Sequence, residues 1–201
     1  MKKIFLLFAV FLFAGNPTLA QEKPKETLIR VLTFNILHGA TTKGDFDLDK
    51  IAKVIKDADP DFVALQEVDY KTRRAKNYDL VTELGWRTKM APLFGRAMDY
   101  DGGAYGEGVL TKLPITSSRN IPLPHSPGNE PRAALEVTVK LESGETVSFI
   151  GTHLEHQAES SDRIDQVKEI NRVFRSNKYP TILAGDLNDT PESEPIRILR
   201  S

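Results

Sequence analysis

Hydrophobic positions along this chain switch repeatedly between strand-like and helical spacing. Leu28, Val31 or Leu32, Phe34 and Ile36 predict a largely buried strand over Leu28–Leu37. After a loop at Thr41–Asp45, Leu48, Ile51, Ala52, Ile55 and Ala58 recur at helical spacing, with Asp47 as N-cap and Asp59-Pro60 as the stop. Asp61–Gln66 is a second apolar run leading to Glu67. Residues 28–67 therefore read as strand, helix, strand, the unit that pairs strands in parallel through a right-handed crossover. Tyr78–Leu84 predicts a short helix ended by Gly85, and Arg87–Phe94 a strand. Gly95–Gly108 is Gly-rich and reads as a loop lying over a site. Val109–Leu113 and Ile115–Leu123 are short strands split by Pro114, and Pro122–Pro131 is a turn region. Arg132–Leu141 alternates, with Ala134, Glu136, Thr138 and Lys140 on one face, and Ser143-Gly144 turns it into Thr146–Thr152. Ile164, Val167 and Phe174 mark a helix over about Ser161–Ser176, capped by Ser160 or Ser161. Thr181–Ala184 is a last buried strand, and Ser193 caps a helix at Glu194–Arg200. Crossover units mixed with hairpins predict an α/β chain with strands in more than one layer.

Composition narrows the class. The chain has 201 residues, no Cys and a formal charge of −1. Residues 1–20 read as a secretory signal peptide: Lys2-Lys3, an apolar segment Ile4–Ala14, then Thr18-Leu19-Ala20 as the cleavage site before Gln21. That apolar segment is short for a membrane span, so export to the periplasm or the outside is expected. Residues 21–27 read as a leader, and 28–201 as one domain. Absence of Cys excludes a disulfide framework. The mildly acidic balance argues against a protein that grips nucleic acid by general electrostatics. The one basic cluster, Lys71, Arg73, Arg74 and Lys76, reads as a solvated loop.

The chemistry gathers at strand ends: Asn35 and His38; Gln66-Glu67; Tyr105-Gly106 with Arg132; His153; and Asp186 with Asn188. Each has a bland reading. Asn35 caps a turn, Glu67 is solvated, Tyr105 packs, Arg132 makes a surface ion pair, His153 is a hydrogen-bonded structural histidine, and Asp186-Asn188 is an Asx-type turn. The repetition of polar groups after five apolar runs favours a shared site, because rigid strands fix side chains that their loops leave open. No Gly-x-Ser-x-Gly elbow and no His-Glu-x-x-His pair occurs. The oxygens of Glu67, Asp186, Asn35 and Asn188 suit Mg²⁺ or Mn²⁺, which bridge to phosphate. Beside a histidine, an arginine and amides, such an ion suits hydrolysis of a phosphate ester. A two-carboxylate glycosidase built on Glu67 and Asp186 leaves Asn188 and Arg132 unexplained.

The segments T-F-N-I-L-H-G, A-L-Q-E-V-D, Y-G-E-G, P-R-A-A-L, G-T-H-L-E-H and G-D-L-N-D-T-P resemble, in order, the endonuclease/exonuclease/phosphatase (DNase I-like) superfamily, from Leu28 onward. The resemblance implies a four-layer sandwich of two mixed β-sheets flanked by helices, with the site at one edge of both. It implies a Mg²⁺-dependent phosphoesterase, acting by in-line attack of water on a small molecule, lipid headgroup or nucleic acid. By motif, Glu67 resembles the metal-binding glutamate, with Asn35 beside it. His153, Asp186 and Asn188 resemble catalytic residues, and Tyr105, Arg132 and His38 phosphate-positioning ones. The family pattern also includes a late Ser-Asp-His segment. None of His38, His125, His153 and His156 follows an Asp, so a fragment of a longer protein is expected. The alternative is a catalytically inactive scaffold or binding module. A monomer without a stable membrane span is expected.

Overall fold

The computed structural model describes residues 27–158 and 161–201. The expected signal peptide and nearly all of the leader lie outside these residues, as does Ser160, one of the two expected caps. In chain order the elements are strand β1 (Val31–Asn35), helix α1 (Leu48–Ala58), β2 (Phe62–Tyr70), α2 (Leu80–Thr88), β3 (Ala91–Tyr100), β4 (Gly103–Thr111), β5 (Ile115–Pro122), β6 (Ala133–Lys140), β7 (Thr146–His153), α3 (Ser161–Phe174), β8 (Thr181–Asp186) and α4 (Glu194–Arg200). The strands form two four-stranded sheets, ordered β1-β2-β4-β3 and β5-β6-β7-β8. Each sheet has one parallel pair, β1 with β2 and β7 with β8, joined through α1 and α3 respectively. Among the described residues the chain passes from one sheet to the other once, at residues 112–114.

Three apolar layers hold the sandwich together. Ile51, Ile55, Leu80 and Leu84 pack α1 and α2 on the outer face of the first sheet, against Val63, Leu65 and Leu110. Phe62, Ala64 and Val109 meet Leu135, Val137 and Phe149 between the sheets. The Phe62 and Phe149 rings stack there with centroids 4.6 Å apart. Val167, Ile170 and Phe174 of α3 cover Ile150 on the outer face of the second sheet. No helix among the described residues is long and apolar enough to cross a membrane.

Local chemistry explains the boundaries. Asp47 caps α1 by accepting from the Lys50 amide at 3.0 Å, and Asp59, in the left-handed region, ends it before Pro60. Several expected boundaries move. Gly85 does not end α2, because Lys89 at φ 60° does so. Gly85 is instead packed, and a Cβ there would meet the Met90 carbonyl at 2.8 Å. Glu67 does not follow β2 but lies inside it, at φ 56° in a register shift between Leu65 and Val68. The segment 95–108 is not a loop. It is the β3–β4 hairpin, turned at Asp101-Gly102. Its glycines permit close strand approach: a Cβ on Gly106 would lie 2.0 Å from the Gly95 carbonyl. β6 is buried on both faces, so Glu136 is not a solvent-side residue. Ser148 and Asn177 hydrogen-bond its carboxylate at 2.5 and 2.7 Å, and Arg119 pairs with it. Ser193 precedes α4, but its side chain makes no capping bond.

Candidate active site

Three strand ends and the bulge inside β2 converge at one edge of the sandwich. β1 and β2 bring Asn35 and Glu67 from the first sheet, and β7 and β8 bring His153 and Asp186 from the second. Parallel pairing is the reason, since strands running the same way end on the same side. His153 stands opposite Asp186 in the β7–β8 register. The antiparallel neighbours begin at that edge, so Tyr105 on β4 and Arg132 just before β6 join them. The result is a cleft of about 340 Å³ lined by seven of the eight expected residues, with Asn35 adjacent behind Glu67. A roomier groove of about 550 Å³ lies at the opposite ends of the strands, around Ile29, Leu113 and Leu141.

On the first-sheet side, the bulge in β2 turns the Glu67 carboxylate into the cleft. Asn35 Nδ2 donates to Glu67 Oε1 at 2.8 Å, while Asn35 Oδ1 accepts from the Leu37 amide at 3.1 Å. Leu37 and His38 have φ of 45° and 57°, a left-handed turn that swings the imidazole back over the strand ends. His38 Nε2 lies 3.2 Å from Glu67 Oε2, and Nδ1 lies 3.6 Å from Asp69 Oδ1. Asp69 is fully buried. Burial alone would raise its pKa, but hydrogen bonds from Arg74 and Thr72, with His38 close by, outweigh it and hold the carboxyl at about 2. Arg74 grips this carboxylate with two bonds of 2.7 and 2.8 Å. The basic cluster does lie in an exposed turn, but the Arg74 guanidinium is tied to this buried carboxylate and reaches the site.

On the second-sheet side, Arg132 is the hub. Nη1 lies 3.0 Å from His153 Nδ1, 3.4 Å from the Tyr105 hydroxyl and 2.8 Å from Glu130 Oε1. Nη2 lies 3.3 Å from His156 Nδ1. A guanidinium only donates, so His153 Nδ1 accepts and the ring proton sits on Nε2. That nitrogen faces Asp186 Oδ2 at 3.8 Å. Burial, then the charge of Arg132, lower the His153 pKa to about 3, so the ring is neutral at physiological pH. Burial likewise raises the pKa values of Tyr105 in the cleft wall and of Glu107.

Asp186 and Asn188 do not lie along one extended stretch, because Asn188 adopts φ 50° and the chain turns. The Asn188 amide N–H donates to Asp186 Oδ1 at 3.1 Å, and its side-chain Nδ2 donates to the Leu154 carbonyl at 2.9 Å. The Asx turn and the shared site are therefore both present, the turn orienting the carboxylate.

The structure also places residues in the cleft that the strand-end pattern missed: Arg74, Met98, Tyr100, Glu130 and His156. His156 has a visible signal, standing three residues after His153. Tyr100 was hidden inside the segment read as a loop.

The metal that the resemblance implies can be tested against these groups. Among the described residues, no three His, Asp or Glu side chains form a metal cage. Mg²⁺ keeps its waters and uses one or two carboxylates plus substrate oxygens. Glu67, with side-chain exposure of 21%, presents such a carboxylate, and Asn35 holds it through Nδ2 while its own oxygen, a hard donor in kind, accepts from the Leu37 amide. The donors fit.

Comparison with known structures places the architecture. An endonuclease/exonuclease/phosphatase from Beutenbergia cavernae DSM 12333 is 25% identical with a TM-score of 0.69, over 83% of this chain and 49% of that one. This chain therefore spans about half the length of that structure. A functionally unknown conserved protein from Enterococcus faecalis V583 is 21% identical, with a TM-score of 0.71 over 86% of this chain and 71% of that one. A mannosyl-6-phosphatase from Bacteroides thetaiotaomicron VPI-5482 is 17% identical, with a TM-score of 0.67 over 86% of this chain and 70% of that one. These last two share the fold. The family pattern for the endonuclease/exonuclease/phosphatase family matches residues 32–201, and with two mixed sheets, outer helices and a cleft across both, the chain belongs to that family.

Proposed function

We propose that this protein hydrolyses a phosphate ester by in-line attack of water, with a divalent metal ion held by Glu67 and Asn35. The observation that carries this reading is the meeting of two unlike half-sites. The Glu67 carboxylate, held by Asn35, comes from one sheet, and the His153–Asp186 pair with Arg132 comes from the other. The mannosyl-6-phosphatase of the same fold supports a phosphate-ester substrate. When bound, the ion polarises the phosphoryl group and stabilises the leaving oxygen.

The chain's own groups divide the remaining work. Asp186, with Oδ1 fixed by the Asn188 amide, directs Oδ2 into the cleft as the acceptor that orients water and takes its proton. His153 presents Nε2–H as a donor to a non-bridging oxygen, because Arg132 occupies its other nitrogen. Arg132 and the Tyr105 hydroxyl add donors for the charge that develops on the equatorial oxygens. Asn188 is a positioning residue for Asp186. His38 holds the Glu67 carboxylate from the opposite side to Asn35. The cleft volume fits a small molecule, since such sites run about 300–1,000 Å³.

Hydrolysis of bis(p-nitrophenyl) phosphate and p-nitrophenyl phosphate, with Mg²⁺ or Mn²⁺ against chelator, tests the proposal. Metal-dependent turnover is expected, falling by about 100-fold or more in Glu67→Gln. Turnover indifferent to chelator and to Glu67→Gln, or none from the folded protein with either metal, overturns it.

A further inference from the structure

The cleft has a wall that the phosphate chemistry does not use. Met98 and Tyr100, at the end of β3, line it together with Arg74. Tyr100 is 39% exposed, although a tyrosine ring gains most by burial. Its ring is nonetheless held. The Arg74 guanidinium carbon lies 4.3 Å from the ring centroid, and the Tyr105 ring lies 6.3 Å away at 56°. Arg74 is itself fixed by the two bonds to buried Asp69. The hairpin turn is pinned as well: Asp101 accepts from Arg73 Nε and from the Arg74 amide, both at 2.8 Å. A rigid, open aromatic face is a preorganised surface rather than a mobile side chain.

The charges along this wall narrow what it takes. Arg74 is neutralised by Asp69, so it adds little attraction for a second phosphate. What it presents, with Tyr100 and Met98, is a planar and weakly polar surface. The second-sheet side differs. Glu130 and His156 flank Arg132 there with side-chain exposures of 31% and 57%, offering acceptors and donors. A ligand complementary to both sides has one apolar face and a hydroxylated edge, and it joins the phosphate at one end. A sugar ring has that form. A nucleic-acid strand does not suit the wall, because its further phosphates would find Arg74 already paired.

We infer that Tyr100, braced by Arg74 and beside Met98, forms a subsite for the organic part of the substrate, a hydroxylated ring such as that of a sugar phosphate. This rests on the phosphoesterase reading for the position of the phosphate, but its test does not need turnover. Binding of glucose 6-phosphate, glycerol 3-phosphate and inorganic phosphate would be measured by calorimetry on the full chain in chelator. The ring should make glucose 6-phosphate bind about tenfold more tightly than glycerol 3-phosphate. Tyr100→Ala should abolish that difference while leaving glycerol 3-phosphate within about twofold, and Tyr100→Phe should keep it. Equal affinity for ring and open-chain esters in the wild type overturns the subsite, as does an equal loss for both in Tyr100→Ala. If the ring preference holds while both nitrophenyl esters resist hydrolysis, the subsite stands and the catalytic reading falls. Turnover without a ring preference has the reverse meaning.

Discussion

His153 lies between a permanent cation, Arg132, and a carboxylate, Asp186, and almost no water reaches it. Burial and then Arg132 lower its folded pKa to about 3, against about 6.5 in an unfolded chain. Above about pH 6.5 the ring is neutral in both states and stability does not depend on it. As pH falls below that value the unfolded chain binds a proton that the native state refuses, so stability drops until about pH 3. The slope reaches about 1.4 kcal/mol per pH unit at most. Asp69 acts lower: its stabilising contribution is lost only as pH falls from 3.8 to about 2. Urea midpoints at about pH 7 and about pH 4.5 should therefore diverge in the wild type and converge in His153→Gln. An unchanged difference in the variant would refute this account. At this scale the sequence pointed to groups that meet in one cleft but not to how each is held. Glu67 reads as a residue after a strand because a bulge leaves no mark in composition, and its φ of 56° appears only in three dimensions. Arg74 is exposed as read, but its pairing with Asp69 was not visible, because folding buries that carboxylate.

β7 and β8 approach each other closely next to the site, and Gly185 allows it. A Cβ there would lie 2.0 Å from the Thr152 carbonyl oxygen. The obstacle is backbone, so relief means parting two paired strands at the Thr152–Gly185 register. Gly185→Ala should cost about 1–3 kcal/mol in thermal or urea unfolding. It should also lower kcat more than metal affinity, because Asp186 shifts while Glu67, on the other sheet, does not. Wild-type stability and turnover in this variant would contradict the reasoning. Elements with strong periodicity and clear punctuation were legible: α1 follows its apolar spacing between Asp47 and Asp59-Pro60. The β3–β4 hairpin was not, because five glycines and several polar residues diluted its alternation. The local signal was the Asp101-Gly102 pair, whose positive φ values of 46° and 83° suit a tight hairpin turn.

For the molecule as a whole, the two sheets meet through the stacked rings of Phe62 and Phe149, both fully buried. Every productive arrangement in the cleft spans that contact, since Glu67 belongs to one sheet and Asp186 to the other. Phe149→Ala should cost about 3–5 kcal/mol. Turnover and near-ultraviolet ellipticity should then vanish in one transition at lower urea. Loss of turnover well before loss of ellipticity would show that the half-sites separate without the core. The layered α/β class was legible from crossover units mixed with hairpins, and the sandwich from ordered motifs. The pairing of β2 with β4 rather than with β3 was not, because hydrophobic period assigns a strand its faces, not its neighbours.

The single passage between the sheets, at residues 112–114, also orders events in time. A chain emerging from its amino end completes the first sheet with Glu67 in place and nothing opposite it. The second sheet then adds Arg132, His153 and, last of these, Asp186. Assembly of this cleft is thus a late property of the nascent chain, reached when the second half closes over the first, and a partly made protein carries Glu67 and Asn35 without the groups that face them.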